Sequence, residues 1–162
     1  MDNKNQFLKK IRNPFYFSMF SLSSLPMVWL AGIKIKEVDA TKAIVTIRYK
    51  YLVKNPFKSI YFACLAMTAE LSTGILAMAN IYQSKPGVSM LVTSVRADFL
   101  KKAVGLISFE CVDGLGFEKA VELAKSTNEG QVFEALSIGR NADGVEVARF
   151  YITWSFKSKK GD

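Results

Sequence analysis

From Pro14 to Ala31 the chain reads PFYFSMFSLSSLPMVWLA, with no charged residue, and beyond Gly32 the apolar pattern changes period. Phe17, Phe20, Leu22 and Leu25 suit a helix laid over a sheet and ending near Pro26, because proline cannot continue a helix interior. Asn13-Pro14 reads as its start, with Asn as cap and Pro at the first helical position. A basic start before an apolar run also fits a signal peptide or a short membrane helix. Against both, Ser18, Ser21, Ser23 and Ser24 dilute the run, Pro26 interrupts it, and no A-x-A cleavage site follows. A packed N-terminal helical segment over 1–30 is the preferred reading, with a membrane role as the disfavoured alternative.

Alternation then takes over. Ile33, Ile35 and Val38 lead into a turn at Asp39-Ala40-Thr41, and Ile44 to Ile47 alternate beyond it, predicting an antiparallel strand pair that reaches about Leu52. Asn55-Pro56 marks a loop. Ser59 opens a long helix over 59–82, stopped by Lys85-Pro86-Gly87. Strands are predicted over 88–100 and 104–112, a short amphipathic helix over 116–126, and a final strand pair over 131–139 and 145–157. There is no repeat, linker or composition break, so 1–162 reads as a single domain, long enough to bury roughly 70% of the unfolded chain's surface. The order is α+β and not the alternation of a parallel sheet. A curved antiparallel sheet wrapped around one long central helix, with an extra N-terminal helix, accommodates it. The 59–82 segment is apolar almost all round, as an enclosed helix must be.

Composition narrows the chemistry. The chain has 162 residues and no histidine, which excludes a Ser-His-Asp triad, a Cys-His dyad, an HExxH zinc helix and a Cys-His zinc finger. Cys64 and Cys111 both lie in apolar runs and read as small buried thiols, consistent with a reducing cytoplasm. No metal site is expected. The formal net charge of +8 favours an anionic partner, although Lys4, Lys9, Lys10 and Arg12 at one end and Lys157, Lys159 and Lys160 at the other also read as solvated termini. No aromatic RNA-binding motif, helix-turn-helix or zinc module supports a nucleic-acid role.

One charge stands inside the central helix. Between Lys58 and Lys85 only Glu70 is charged, and Ala63, Ala66, Thr73 and Ala77 share its helical face. A buried carboxylate needs a partner, hydrogen bonds or a wet cleft. Arg96 or a lysine would make it structural, whereas partial burial would raise its pKa toward the range of a general base. Ser59 is the natural N-cap, and the unsatisfied N–H groups from Ile60 to Ala63 form either an ordinary helix start or a site for a developing oxyanion.

These residues resemble a family. Asn55-Pro56-Phe57-Lys58-Ser59-Ile60-Tyr61-Phe62-Ala63, continuing through Ala69-Glu70-Leu71-Ser72-Thr73-Gly74, is similar to the central-helix motif of hot-dog-fold thioesterases, and more narrowly to a branch of uncharacterised thioesterase-like proteins. Leu25-Pro26-Met27, Gly32-Ile33-Lys34 and Asp98-Phe99-Leu100-Lys101-Lys102-Ala103 extend the likeness over nearly the whole chain. The resemblance implies a hot-dog fold, a homodimer or dimer of dimers, and acyl-thioester sites at the subunit interface. It places Glu70 as general base or nucleophile and Asn55 as a group orienting water or the carbonyl. The helix start at Ser59, Tyr61, Phe62 and Ala63 would form the oxyanion hole. Thr73 would line the substrate site, with Arg96, Lys101 and Lys102 meeting the phosphates of coenzyme A. Coenzyme A enters as part of the substrate and no separate cofactor is implied. Many hot-dog thioesterases carry His-Gly-Gly where this chain has Tyr61-Phe62-Ala63, so a non-catalytic acyl-coenzyme A or fatty-acid binder stands as the alternative reading. The absent histidine also excludes the His-dependent dehydratases of the same fold.

Overall fold

The uncharged segment after Arg12 folds as two short helices. In the computed structural model, which describes residues 3–159, α1 (Asn3–Ile11) precedes α2 (Pro14–Ser24) and α3 (Pro26–Ala31). The expected single N-terminal helix is therefore three. Asn13 caps α2 as its sequence predicts, accepting hydrogen bonds from the N–H groups of Phe15 and Tyr16 at 3.0 and 3.2 Å. Leu25 closes α2 through a bond to Ser21 O, and Pro26 restarts the chain as α3 instead of merely ending it. Gly32, at φ +70°, closes α3 in the left-handed conformation that glycine adopts without strain. Lys160 lies outside the described residues.

Six strands follow: β1 (Lys34–Val38), β2 (Ala43–Arg48), β3 (Val88–Phe99), β4 (Leu106–Cys111), β5 (Gln131–Arg140) and β6 (Glu146–Ser158). They form one antiparallel sheet in the order β1-β2-β4-β5-β6-β3. At the β1–β2 turn, Asp39 Oδ1 accepts from the N–H groups of Thr41 and Lys42 and from the Thr41 hydroxyl. Strand β2 ends at Arg48, earlier than the alternation suggested, because Tyr51–Val53 forms a 3₁₀ turn. On β2 and β4 the buried residues Ala43, Val45, Ile47, Ile107, Phe109 and Cys111 all face inward.

The central helix, α4 (Phe62–Ile81), lies across that inner face and touches every strand from β2 to β6. A second helix, α5 (Gly114–Thr127), packs beside it, directing Phe117, Ala120, Val121 and Ala124 inward. Helix α4 is long and apolar enough to span a bilayer, yet 61% of its apolar window is buried inside the protein. Its hydroxyls do not disturb the core, since Thr68 and Ser72 donate to the carbonyls of Cys64 and Ala69, and Ser72 and Ser137 share a hydrogen bond. A sheet wrapped around one central helix is the hot-dog arrangement.

Helix α4 begins three residues later than the sequence suggests. Asn55 accepts hydrogen bonds from the N–H groups of Phe57 and Ser59 and exchanges two more with the Ser59 hydroxyl. Lys58 adopts φ +59°, and Lys54 and Ile60 pair as an antiparallel bridge. The chain is thus held in a loop through Ile60, and the hydroxyl expected to cap the helix is bound to Asn55. Tyr61 occupies the capping position with no side-chain cap bond.

Candidate functional site

Glu70 lies half-buried on α4. Among the described residues its carboxylate makes neither an ion pair nor a hydrogen bond. Burial alone pushes its pKa above the ordinary glutamate value. The structural alternative, a pair with Arg96, is absent. Arg96 sits on the opposite face of the sheet, its guanidinium 3.7 Å from the centre of the Tyr151 ring and 3.6 Å from Asp98.

Gly74 and Trp154 form the notch that holds the carboxylate. A Cβ on residue 74 would crowd Glu70 Oε1 at 3.1 Å and touch the edge of the Trp154 ring at 3.4 Å, so the absent side chain leaves space between acid and indole. Trp154 is 4% exposed, and its Nε1–H donates to Thr73 Oγ1 at 3.0 Å. Thr73 in turn donates to Glu70 O at 2.9 Å and is itself fully buried. Thr73 therefore anchors the indole wall, and its hydroxyl is already engaged. The sequence reading missed Trp154 as part of this site. The alternation of buried Ala148, Phe150, Ile152, Trp154 and Phe156 along β6 was the available signal that it faces α4.

Beyond Trp154 the sheet has one more strand, β3, and stops. Its cross-strand neighbour is Val92 on β3, which pairs with β6 on one side and with no strand on the other. Val95 and Phe99 face the helix side from this edge yet are each 52% exposed. An aromatic series continues outward from the core, Phe109 to Phe150 to Phe99 to Phe62 to Tyr61, with centroid separations of 4.9 to 6.3 Å. Phe62 and Tyr61, at 54% and 46% exposure, end it in solvent. An open apolar surface thus joins the edge strand to the start of α4, with the notch of Glu70 beside it.

The helix start separates into used and free donors. Tyr61 N–H bonds to Val53 O at 2.8 Å, Ile60 N–H to Ala103 O and Ser59 N–H to Asn55. The N–H groups of Phe62 and Ala63 have no acceptor among the described residues, as expected for the first helical turn. Of the donors named from sequence, the structure leaves these two available. Ala63 precedes Glu70 by two helical turns, about 10 Å along the axis, so one chain does not bring these N–H groups to the carboxylate. Asn55 is likewise occupied within its own loop. Lys101 and Lys102 are exposed just beyond β3, in the segment whose Ala103 carbonyl receives Ile60 N–H. They share this end of the molecule with Lys54 and Lys58, which line a depression of about 600 Å³ with Tyr49, Asn55 and Pro56.

The thiols are poor nucleophiles here. Cys111 is buried, with its pKa pushed up to about 12, and burial also raises that of half-buried Cys64. Among the described residues no three His, Cys, Asp or Glu side chains cluster as metal ligands do.

Comparison with known proteins places this fold. No curated protein matches in sequence. Among solved structures, a protein of unknown function from Pseudomonas aeruginosa, described as a probable thioesterase, superposes with TM-score 0.76 at 16% identity, over 91% of this chain and 97% of that one. A thioesterase from Haemophilus influenzae gives 0.63 at 16% identity, over 86% and 88%. The PaaI protein of the phenylacetic acid degradation operon of E. coli gives 0.59 at 17% identity, over 89% and 91%. At such identities the likeness establishes a shared fold. Residues 15–156 match a family sequence profile across most of the chain, and the protein accordingly belongs to the family described as "Domain of unknown function (DUF4442)".

Proposed function

We propose that the protein is a thioesterase that hydrolyses an acyl thioester, with acyl-coenzyme A as the substrate class and Glu70 as the general base. The observation that carries this reading is an unpaired carboxylate, with a raised pKa, held in an apolar notch beside an open sheet edge. Supporting it, the thioesterases from Haemophilus and the PaaI structure share the fold. Glu70 takes a proton from water as its oxygen attacks the thioester carbonyl carbon. The oxyanion that forms is received by the N–H groups of Phe62 and Ala63. The carbon–sulfur bond then breaks, and the proton passes from Glu70 to the departing thiolate, leaving a carboxylic acid and a thiol.

The two-turn separation between donors and base requires a second chain. A homodimer joined through β3 places the helix start of one protomer near the carboxylate of the other and covers Val95 and Phe99. Lys101 and Lys102, with Lys54 and Lys58, then meet the phosphates of coenzyme A at the rim. Arg96, on the outer face, is a weaker candidate for that role.

Single-turnover hydrolysis over a panel of acyl-coenzyme A esters tests the assignment. Glu70→Gln lowers the rate by about 10²-fold or more, the scale of general-base loss. Equal rates for the two proteins would remove Glu70 from the chemistry. A second reading, a non-catalytic acyl-thioester binder, draws on Asn55, whose amide is closed within its loop and supplies no group to orient water. Saturable binding without turnover, indifferent to Glu70→Gln, would favour it.

A further inference from the structure

The helical cap carries an apolar surface that none of the described residues covers. On α2, Phe15, Met19 and Leu22 recur at i, i+4 and i+7, opposite buried Phe17 and Ser21, and are 76%, 52% and 45% exposed. On α3, Met27, Trp29 and Leu30 are 62%, 46% and 45% exposed. Isolated exposed apolar residues are ordinary, but a run of them across two packed helices marks an interaction surface. Trp29 Nε1–H donates to Ser18 Oγ at 3.2 Å and ties α3 to α2, so the two helices present their apolar residues together.

Cations border that surface at its α1 end and at its α3 end. Helix α2 itself is uncharged, and between Asn3 and Lys36 the chain contains no Asp or Glu. Lys9 and Lys10 line one depression with Tyr16. Arg12 and Lys34 line a cavity of about 390 Å³ on the Phe17 side of α2, with Trp29 and Ile33, and Arg12 Nε–H donates to Val38 O at 2.7 Å. Lys50 donates to the Leu30 carbonyl at 3.2 Å and lines a further groove with Lys34 and Arg48. None of these cations pairs with a carboxylate among the described residues.

We infer that the α2–α3 pair docks the protein on an anionic phospholipid surface. An apolar centre with a cationic rim matches the layers of a bilayer interface. Phe15, Met19 and Leu22 enter the acyl boundary, Tyr16 and Trp29 sit at headgroup depth, and the lysines meet lipid phosphates. A second copy is a poorer occupant, because two such faces would set cation against cation. The contact is interfacial, since the eleven residues of α2 are too few to span a bilayer and α4 is occupied in the core. The inference takes up the membrane role that the sequence disfavoured, and it does not depend on the proposed catalysis.

The experiment uses vesicles of phosphatidylcholine alone and of phosphatidylcholine with phosphatidylglycerol. The chain has two tryptophans, of which Trp154 is 4% and Trp29 46% exposed, so a vesicle-induced blue shift reports on Trp29. The protein floats with the anionic vesicles and shows the shift, does neither with phosphatidylcholine alone, and is released by salt. Lys34→Gln and Lys50→Gln each weaken binding about five-fold. The triple variant Phe15→Ser, Met19→Ser, Leu22→Ser keeps its circular dichroism and thermal transition but loses the shift. Three results would overturn the inference: no flotation of the wild type with anionic vesicles at low salt, unchanged binding by the triple variant, or a triple variant whose only defect is a smaller oligomer. The last would assign the surface to a second copy.

Discussion

At Glu70 the fold holds a carboxylate beside Gly74 and near the edge of the Trp154 ring, with no cation paired to it among the described residues. Gly74 leaves room for the carboxylate, because a Cβ there would lie 3.1 Å from Glu70 Oε1, closer than ordinary van der Waals contact. The consequence for stability has a definite sign. Burial raises the folded-state pKa of Glu70 above its unfolded value, so the native state holds that proton more tightly than the unfolded chain. The ionised form is thus a cost that is absent below the unfolded pKa and fully present above the folded one. Glu70→Gln should raise Tm by about 2–4 °C at pH 7.5, and the difference should disappear near pH 4. Thermal melts of both proteins across that range check it, and a constant offset would contradict the burial argument. Asp39 behaves in the opposite sense. Its three donors lower its pKa, so its contribution is present above the unfolded pKa and lost as the pH falls through the folded one.

Strand β3 is the element whose surroundings are incomplete. It runs twelve residues, one side unpaired, with Leu91, Val95 and Phe99 at 67%, 52% and 52% exposure. A long apolar edge is a liability that proteins cover, which is the physical ground for the proposed dimer. Val95→Lys should abolish that pairing by placing a charge against apolar residues of the partner. The expected outcome is a folded monomer by sedimentation velocity with at least about ten-fold lower hydrolysis, since 1.4 kcal/mol already changes an equilibrium ten-fold. A Val95→Lys protein that stays dimeric would move the interface elsewhere. The start of α4 shows why element boundaries were only partly legible. Ser59 before an apolar run is a sound local capping signal, but Asn55 competes for the same hydroxyl across a loop, and that competition is decided by loop geometry.

Over the whole molecule, charge is unevenly distributed. From Ala40 to Ala69 there is again no Asp or Glu, while Lys54 and Lys58 fall at the helix entrance beside Lys101 and Lys102. The net charge of +8 is therefore not only a matter of solvated ends. If these lysines receive the coenzyme A phosphates, KM should rise with ionic strength while kcat holds, because exposed charges are screened within about 8–10 Å at physiological salt. Replacing Lys101 and Lys102 together by Gln should raise KM several-fold at low salt and flatten its salt dependence. Steady-state kinetics at a few salt concentrations decide this, and a KM indifferent to both changes would place the phosphates elsewhere.

The sequence by itself determined the order of helices and strands after Gly32, the Asn13 cap, the Asp39 turn and the enclosed central helix, because each follows from local periodicity or from one side chain meeting its own backbone. It also singled out Glu70, since one charge in an apolar helix is visible without coordinates, and the lack of histidine had already confined any catalysis to carboxylates, hydroxyls, amides, lysines and the backbone. What only the tertiary structure decided was the company that charge keeps. Whether Glu70 met Arg96 or an indole depended on which face of β3 and β6 each residue occupied, and on a register set by long-range strand pairing. The division of the N-terminal segment into two helices with an uncovered apolar side was likewise settled by packing. Burial of one helix face leaves the other outward, and the run of letters from Pro14 to Ala31 does not say which.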